Sequence, residues 1–410
     1  MARREYAASL DVGTSKVAMV IGVPTHDGGV DIIGVGTSPA AGMRRGVVVD
    51  IDATVQAITG ACEKAERMAG VKVKSVYVGA GGPHMTTTNN RGMVAVSRAD
   101  REITEDDVNR VMEAARVLNV PTDREIVHIL PRQFIVDGYD GVKDPVGMVG
   151  VRLEVEALIV TGAAASLQNL LRCVYRAGLQ VDELVLSSLA AGEAVLHPAE
   201  RELGVMLVDM GAGTTQVALY AQGSLWQAAV VPLGGGHITN DIAVGLRTPV
   251  HQAEAIKVAN GRAQGSAGDD DVLLGVPGTA GGSQRQVSRR TLNTIIEARA
   301  QEIMELVAQQ LRSLGYPQAL PAGAVLTGGS SVLTGMVELA EACLEMPART
   351  GFPVLSGGLD DIARDPALAT GVGLVMRALQ QRGPDASGPW DRGRPGSLWA
   401  RLVGWVRDLT

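Results

Sequence analysis

Apolar and polar positions along the chain switch repeatedly between strict alternation and a spacing of three to four residues. Alternation is typical of strands, and the longer spacing is typical of amphipathic helices. The first part of the chain is predicted to form strands at 6–10, 16–23, 47–49 and 75–80, and helices at 51–68, 104–118 and 166–177. Thr104, with Asp107 three residues later, is a typical helix start. Residues 125–161 are predicted to form mostly strands and turns.

The same mixture returns in the second half of the chain. Strands are predicted at 204–209, 216–220 and 324–326, and helices at about 237–247, 250–259, 288–314, 333–344 and 367–381. Residues 261–286 are rich in Gly, Ser, Ala and Asp, which predicts a surface loop. Residues 382–396 have the composition of a linker, and the segment 397–410 follows it.

Composition narrows the class of protein. The 410 residues are 46% apolar but only 3% aromatic, so small aliphatic side chains fill the interior, which favours layered α/β packing. Three well-separated Cys predict neither a disulfide framework nor a zinc cluster, and they favour a reducing compartment. A net charge of -7 predicts no nucleic-acid partner. The first residues resemble no signal peptide and no long apolar run is present, so we expect a cytoplasmic protein.

One short unit occurs twice, about half a chain apart. Each copy is an apolar strand, an Asp, a glycine turn with hydroxyl residues, and a second apolar strand. The candidate phosphate-binding residues are Asp11, Gly13, Thr14, Ser15 and Lys16 in the first copy, and Asp209, Gly211, Gly213, Thr214 and Thr215 in the second. Glycine lets backbone N–H groups approach an anion, and each Asp is suited to hold Mg²⁺ through water. A single copy is more often an ordinary hairpin turn, but duplication favours a nucleotide site.

Two further glycine segments fit such a site. Gly235 and Gly236 open a helix whose N–H groups are suited to face phosphate. Gly328, Gly329 and Ser330 follow an apolar strand, where small residues leave room for a base or ribose. Taken alone, the second segment is only a strand–turn–helix junction. Neither segment has the Walker A lysine pattern or the Rossmann fingerprint.

These segments, in this order, resemble the superfamily of actin, sugar kinases and heat-shock chaperones. Within it, the chain resembles the FtsA family of bacterial cell-division proteins, through 128–138, 144–154 and 253–257. The resemblance implies an actin-like α/β fold with two RNase-H-like halves around an interdomain nucleotide cleft, an inserted subdomain and a C-terminal amphipathic helix. It also implies ATP and Mg²⁺ as ligands, with Glu254 and Lys257 at the adenosine.

The resemblance divides the chain into subdomains and implies partners. The first half is 1–83, 163–195 and about 360–381, with 84–162 inserted; the second is 196–233 and 311–359, with 234–310 as the adenosine- and partner-binding subdomain. Family members form actin-like filaments, work with other division proteins and recruit FtsZ to the cytoplasmic face of the membrane at the division site. The FtsZ C-terminal peptide would bind 234–310, where Arg289, Arg290 and Arg299 are candidate contacts. A solvated basic face is the alternative interpretation of these arginines.

Hydrolysis is expected to be slow. Relatives that hydrolyse ATP efficiently place an acidic or amide residue near the helix that joins the halves, whereas here Ser187 or Ser188 takes that position. Glu193, a turn or more later, is expected to face solvent. His128 and His237 are expected to be structural, and Glu302 is expected to pair with Arg299.

The end of the chain predicts a helix that lies on a membrane surface. The apolar side of the wheel is Leu398, Trp399, Leu402, Val403, Trp405, Val406 and Leu409. Trp prefers the lipid headgroup region, so an interfacial helix is favoured over one docked on the protein's own core or in a partner's groove. One short helix binds marginally, whereas a filament that presents many helices binds far more tightly.

Three other functions remain open at this stage. A small-molecule kinase of the same superfamily would need a third catalytic Asp, which the sequence does not offer. An FtsA-like ATP-binding scaffold of pilus assembly would lack the C-terminal helix. A chaperone ATPase would carry a peptide-binding β-domain after the nucleotide domain.

Overall fold

The protein was analysed as a computed structural model, which describes residues 6–26, 28–97, 100–118, 120–265, 272–278, 284–316, 319–355 and 357–382. The predicted tail, 397–410, and all of the predicted linker except Arg382 lie outside the described residues. Within those residues, no helix combines the length and the apolar character needed to cross a membrane.

The first half of the fold is built on a six-stranded sheet. Its leading elements in chain order are β1 (Ala7–Val12), β2 (Lys16–Pro24), β3 (Val30–Pro39), the hairpin strands β4 (Met43–Arg44) and β5 (Val47–Val48), α1 (Ile51–Ala69) and β6 (Ser75–Ala80). Asp50 caps the start of α1 by accepting a hydrogen bond from the Ala53 N–H. Gly70, in the left-handed conformation at φ 68°, ends the helix.

An inserted subdomain follows β6 and has a core of its own. It comprises β7 (Met85–Ala95), α2 (Glu105–Arg116), β8 (Arg124–Val136), β9 (Tyr139–Val142) and β10 (Arg152–Ala163), with strand order β7-β10-β8-β9. Asp107 accepts hydrogen bonds from the Thr104 N–H and hydroxyl, which confirms the predicted helix start. Phe134, Leu153 and Val111 are among the side chains buried between the sheet and α2.

The chain then completes the first sheet and crosses to the second half. It does so through α3 (Ala164–Arg176), β11 (Gln180–Leu186), the linking helix α4 (Ser187–Val195) and α5 (Pro198–Leu203). The second half continues with β12 (Val205–Met210), β13 (Thr215–Ala221), β14 (Ser224–Val231), α6 (Gly235–Gly245), α7 (Val250–Asn260), β15 (Leu273–Val276), β16 (Arg285–Ser288), α8 (Arg289–Ser313), β17 (Ala324–Thr327), α9 (Met336–Leu344) and β18 (Ala348–Thr350). The chain returns to the first half with β19 (Gly357–Gly358), α10 (Asp360–Ala363), a short 3₁₀ turn (Pro366–Leu368) and α11 (Ala369–Arg382).

The two large sheets have the same topology. The order is β11-β6-β1-β2-β3-β19 in the first and β14-β13-β12-β17-β18 in the second. In each, three antiparallel strands lead into two parallel ones: β1 pairs with β2 antiparallel and with β6 parallel, as β12 does with β13 and β17. The duplication predicted from two short segments therefore extends over five strands of each half.

Two predictions about the second half need correction. The segment 261–286 is not only a surface loop, because β15 pairs with β16 along Leu273↔Ser288 to Val276↔Arg285. The proposed division at 310/311 also falls inside a continuous helix, α8, whose Ile296, Ile303 and Val307 lie in the core of the second half. The three Cys are free, as expected.

The inserted subdomain also contacts the second half, so it joins the two halves a second time. The Arg132 guanidinium lies 3.2 Å from the centroid of the Trp226 ring, which packs edge-on against Tyr316. The Thr87 hydroxyl lies 2.8 Å from the carbonyl oxygen of Ala228 on the edge strand β14. The inserted subdomain therefore covers the exposed edge of the second sheet, where unpaired backbone groups would otherwise invite association.

Candidate functional site

A large cavity lies between the two halves, where the repeated hairpins meet. Its volume is about 1040 Å³, at the upper end of the range for small-molecule sites. In the first hairpin the Gly13 N–H donates to the Lys16 carbonyl (3.0 Å), and in the second the Gly211 N–H donates to the Thr214 carbonyl (3.0 Å). The two turns are thus built alike and face each other across the cavity.

Close approach of the two hairpins depends on glycine. A Cβ atom on Gly213 would lie 2.4 Å from the Thr14 hydroxyl oxygen of the opposite turn. Gly235 lies against Ser330 in the same way, since its Cβ would be 2.0 Å from the Ser330 hydroxyl oxygen. The first contact joins the two phosphate hairpins, and the second joins the start of α6 to the predicted adenosine segment.

Two carboxylates, the buried Asp209 and the partly buried Asp11, face the cavity from equivalent strands. Burial raises the pKa of Asp11 to about 6, and the nearby Lys16 opposes part of that shift. Burial together with repulsion from Asp11 raises the pKa of Asp209 to about 7. A pair of desolvated carboxylates of this kind is stabilised by a divalent cation. Mg²⁺ is usually held by one or two carboxylates and keeps several waters, and the pair here fits that mode.

All but one of the predicted nucleotide-site residues line this cavity. These are Asp11, Gly13, Thr14, Ser15, Lys16, Asp209, Gly211, Gly213, Thr214, Gly235, Gly236, Glu254, Lys257, Gly328, Gly329 and Ser330. Thr215 is fully buried instead, and its hydroxyl donates to the Leu233 carbonyl (2.9 Å), so it supports the turn from behind. The duplicated pattern gave both Thr214 and Thr215 as candidates. Because neighbouring residues of an extended chain point to opposite sides, only one of the two can face the cavity.

Lys257 is held by the protein itself. Its ammonium group donates to the Gly235 carbonyl (3.1 Å) and the Thr239 hydroxyl (2.9 Å), and it lies 2.7 Å from the Glu254 carboxylate. An ammonium group has three donors, so these partners occupy all of them. Lys257 therefore fixes α6 against α7 at the edge of the cavity.

Gln216 is a cavity residue that the sequence reasoning missed. It lies on β13 directly opposite Asp209, and its Oε1 atom is buried with no hydrogen-bond partner among the described residues. At the equivalent place in the first hairpin, Ala18 lies opposite Asp11. A position-by-position comparison of the two copies would have singled out Gln216, because the equivalent residue of the first copy is the apolar Ala18.

The linking helix only partly matches expectation. Ser187 lines the cavity, whereas Ser188 is buried and its carbonyl accepts a hydrogen bond from Tyr220. Glu193 does not face solvent: it lies 2.9 Å from the Arg377 guanidinium, and its side chain is 14% exposed. The expectation failed because α11 of the first half, distant in sequence, covers that side of α4.

The two histidines are structural, as expected. His128 Nε2 accepts a hydrogen bond from the Leu186 N–H (3.1 Å), and burial lowers its pKa to about 3, so it is neutral. His237 Nδ1 lies 3.1 Å from the Gly234 N–H at the start of α6. Arg299 pairs with Glu302 as predicted and also with Asp241 at 2.5 Å.

Comparisons with known proteins agree with this architecture. Family models described as "Cell division protein FtsA" and "SHS2 domain inserted in FTSA" match residues 206–373 and 82–161. The chain is 43% identical to cell division protein FtsA of Pseudomonas aeruginosa over 91% of this chain and 89% of that protein. It is 41% identical to cell division protein FtsA of Neisseria meningitidis over 99% of both chains.

Solved structures show the same fold at low sequence identity. The PilM–PilN type IV pilus biogenesis complex matches with a TM-score of 0.62 and 17% identity, over 92% of this chain and 99% of that chain. MreB5 of Spiroplasma citri bound to ADP matches with a TM-score of 0.56 and 12% identity, over 94% and 99%.

The duplicated halves and the cleft between them define an actin-like fold. Identity above 40% over most of the chain then decides the family: the chain belongs to the FtsA family of cell-division proteins. The pilus-assembly alternative is not favoured, because its likeness is limited to the fold at 17% identity.

Proposed function

We propose that this protein binds ATP with Mg²⁺ in the interdomain cleft, forms actin-like filaments and tethers FtsZ to the cytoplasmic face of the membrane at the division site. The observation that carries the nucleotide proposal is the meeting of two matched glycine hairpins beside the Asp11 and Asp209 carboxylates. Backbone N–H groups and hydroxyls of both turns would hold the phosphates. Asp11 and Asp209 would hold Mg²⁺ through its water, and the ion would neutralise the phosphate charge.

The adenosine would lie against Gly328, Gly329 and Ser330, which line the cavity on the side of the second half. Gly328 has φ +83°, and a Cβ there would come within 2.4 Å of an Asp209 oxygen. A side chain at this position would therefore both strain the turn and displace the carboxylate. Glu254 would remain a ribose contact, while Lys257 would act by fixing the wall of the site.

Hydrolysis, where it occurs, would depend on Gln216 instead of on the linking helix. Its unpartnered Oε1 is an acceptor for a water molecule beside the phosphates. Replacing it with Ala should lower the rate of ATP hydrolysis by about 10²-fold, the loss expected when a reacting water is no longer positioned, with little effect on ATP affinity. An unchanged rate in Gln216→Ala would exclude this role.

Membrane attachment is proposed for the tail, through Leu398, Trp399, Leu402, Val403, Trp405, Val406 and Leu409. FtsZ binding is proposed for the subdomain that contains α6 to α8. Of its three candidate arginines, Arg290 is exposed at the start of α8, whereas Arg299 is already bonded to Asp241 and Glu302. Arg299 therefore contributes to a partner surface mainly by holding α8 against α6.

Liposome co-sedimentation tests these proposals together. The full chain and a chain without 397–410 should be compared in ATP and in ADP, with and without FtsZ. We expect the full chain to pellet with liposomes and to carry FtsZ with it, and the truncated chain to stay in solution. If the truncated chain binds liposomes as well as the full chain does, the tethering proposal is overturned.

Filament formation can be separated from the tail. A variant that does not polymerise but keeps 397–410 should pellet poorly, because single helices bind marginally and many linked helices bind tightly. Equal pelleting of monomer and polymer would contradict this coupling.

A further inference from the structure

A short hairpin at the mouth of the cleft carries an arginine in an unusual backbone conformation. β4 and β5 are joined by the two-residue turn Arg45-Gly46, with φ +50° and +75°. Positive φ at both central residues is the mark of a type I′ turn, for which Asn-Gly is the preferred pair. A long side chain at the first position costs about 1 kcal/mol or more. Strain of this kind at a cleft points to a role for the side chain.

The turn is fixed to the first phosphate hairpin. The Gly46 N–H donates to the Thr14 hydroxyl (3.0 Å). Gly46 also lies against the backbone of the segment after β6, since a Cβ on it would come within 3.0 Å of the Gly81 carbonyl oxygen. The position of Arg45 is therefore tied to the loop that would hold the phosphates.

Arg45 lines the cavity, and its charge acts across it. Burial lowers the pKa of His237, and the positive charges of Arg45 and Arg299 lower it further. His237 lies in the first turn of α6 in the second half, so an arginine of the first half acts on a residue of the other wall. Arg45 is exposed, and within the described part of the chain it has no carboxylate partner. An unpaired guanidinium beside two phosphate hairpins is suited to a phosphate group.

We propose that Arg45 binds the terminal phosphate of the nucleotide, so that the first half of the protein distinguishes a triphosphate from a diphosphate. This inference rests on the proposed ATP site. The terminal phosphate is assigned because Arg45 adjoins Thr14, where the two phosphate hairpins come into contact. Arg45 is chosen over its neighbour Arg44, which also lines the cavity, because only Arg45 combines the strained turn with the effect on His237.

The test uses Arg45→Asn in the full chain. Asn suits a type I′ turn, so this variant removes the charge while relieving the backbone, and it should melt no lower than the wild type. We expect the dissociation constant for Mg²⁺–AMPPNP to rise at least about tenfold, in line with one charge-assisted hydrogen bond. The constant for Mg²⁺–ADP should change by less than about twofold. Arg45→Lys, which keeps the charge, should lie between wild type and Arg45→Asn.

The matched control is Gln222→Asn. Gln222 and Gly223 form the same kind of turn between β13 and β14, with φ +53° and +78°, and no charge is lost there. This variant should bind both nucleotides as the wild type does. Equal weakening of AMPPNP and ADP in Arg45→Asn, or no weakening of either, would overturn the inference. A folded wild-type chain that binds neither nucleotide would instead refute the ATP site itself.

Discussion

Asp209 offers a sharp test of how the cleft is built, because without a ligand this carboxylate costs stability. In the native chain its pKa is raised from 3.8 to about 7 by burial and by Asp11. A raised pKa means that the folded state prefers the protonated form. The stability from that group is fully present below about pH 4 and is lost as the pH rises through about 7.

The magnitude follows from the shift. At 1.36 kcal/mol per pKa unit, the titration of Asp209 costs the unliganded protein about 4 kcal/mol at pH 8, where the folded chain carries the charge, and about 2 kcal/mol at pH 5, where only the unfolded chain does. Replacing Asp209 with Asn removes the charge and keeps nearly the same shape. The Thr370 hydroxyl, 3.5 Å from the Asp209 carboxylate, can still donate to the amide oxygen of Asn. The Asp209→Asn variant should therefore be more stable than the wild type, and more so at pH 8 than at pH 5.

Thermal unfolding at pH 5 and pH 8, with and without Mg²⁺–ATP, measures this difference. Without ligand, the variant should melt above the wild type at pH 8, with a smaller gap at pH 5. With Mg²⁺–ATP the order should reverse at pH 8, because the ion needs the carboxylate and stabilises whichever chain binds it better. Asp52→Asn is the control, since Asp52 is 76% exposed in its ion pair with Arg176 and should change stability by less than about 1 kcal/mol. A variant less stable than the wild type at pH 8 without ligand would refute the reasoning.

Two further changes test the packing around the cleft. Gly213→Ala should raise the dissociation constant for ATP more than about tenfold in a calorimetric titration. The new Cβ would meet the Thr14 hydroxyl at 2.4 Å, so the backbone could no longer approach closely. The control Gly278→Ala, whose Cβ would meet nothing within 4 Å, should bind ATP as the wild type does. Glu193→Ala should destabilise the protein by about 3 kcal/mol in urea unfolding, because the buried Arg377 loses one partner. The control Glu202→Ala removes an exposed pair with Lys143 and should cost less than about 1 kcal/mol. Equal effects within either pair would contradict the packing described for that site.

The fold could be predicted largely from local signals. The duplicated Asp–glycine hairpins are short-range patterns, and their turns form the same internal hydrogen bond in both halves. Helix starts such as Asp50 and Thr104 are likewise set by neighbours in sequence. β3 and β7 were missed: polar residues interrupt the alternation in β7, whereas β3 carries glycines at positions where a Cβ would collide with α1.

The missed site residues depend on contacts between distant parts of the chain. Glu193 was expected in solvent because nothing near it in sequence shows that Arg377 would lie 2.9 Å away. Arg45 reaches the cleft only because Gly46 bonds to Thr14, more than thirty residues earlier. Gln216 is different, since the comparison of the two repeats contained the signal. Internal duplication thus locates a shared site well, and its mismatched positions mark where the two halves have separate roles.

Nucleotide binding by the full chain is the most direct test of the central claim. Isothermal titration with ATP should be done in Mg²⁺ and again after chelation by EDTA, with the fold checked in both buffers. We predict one ATP bound per chain in Mg²⁺, and clearly weaker binding in EDTA, because the buried carboxylates then repel the phosphates without a cation between them. Absence of binding by the folded chain in Mg²⁺, or tighter binding in EDTA, would contradict the account.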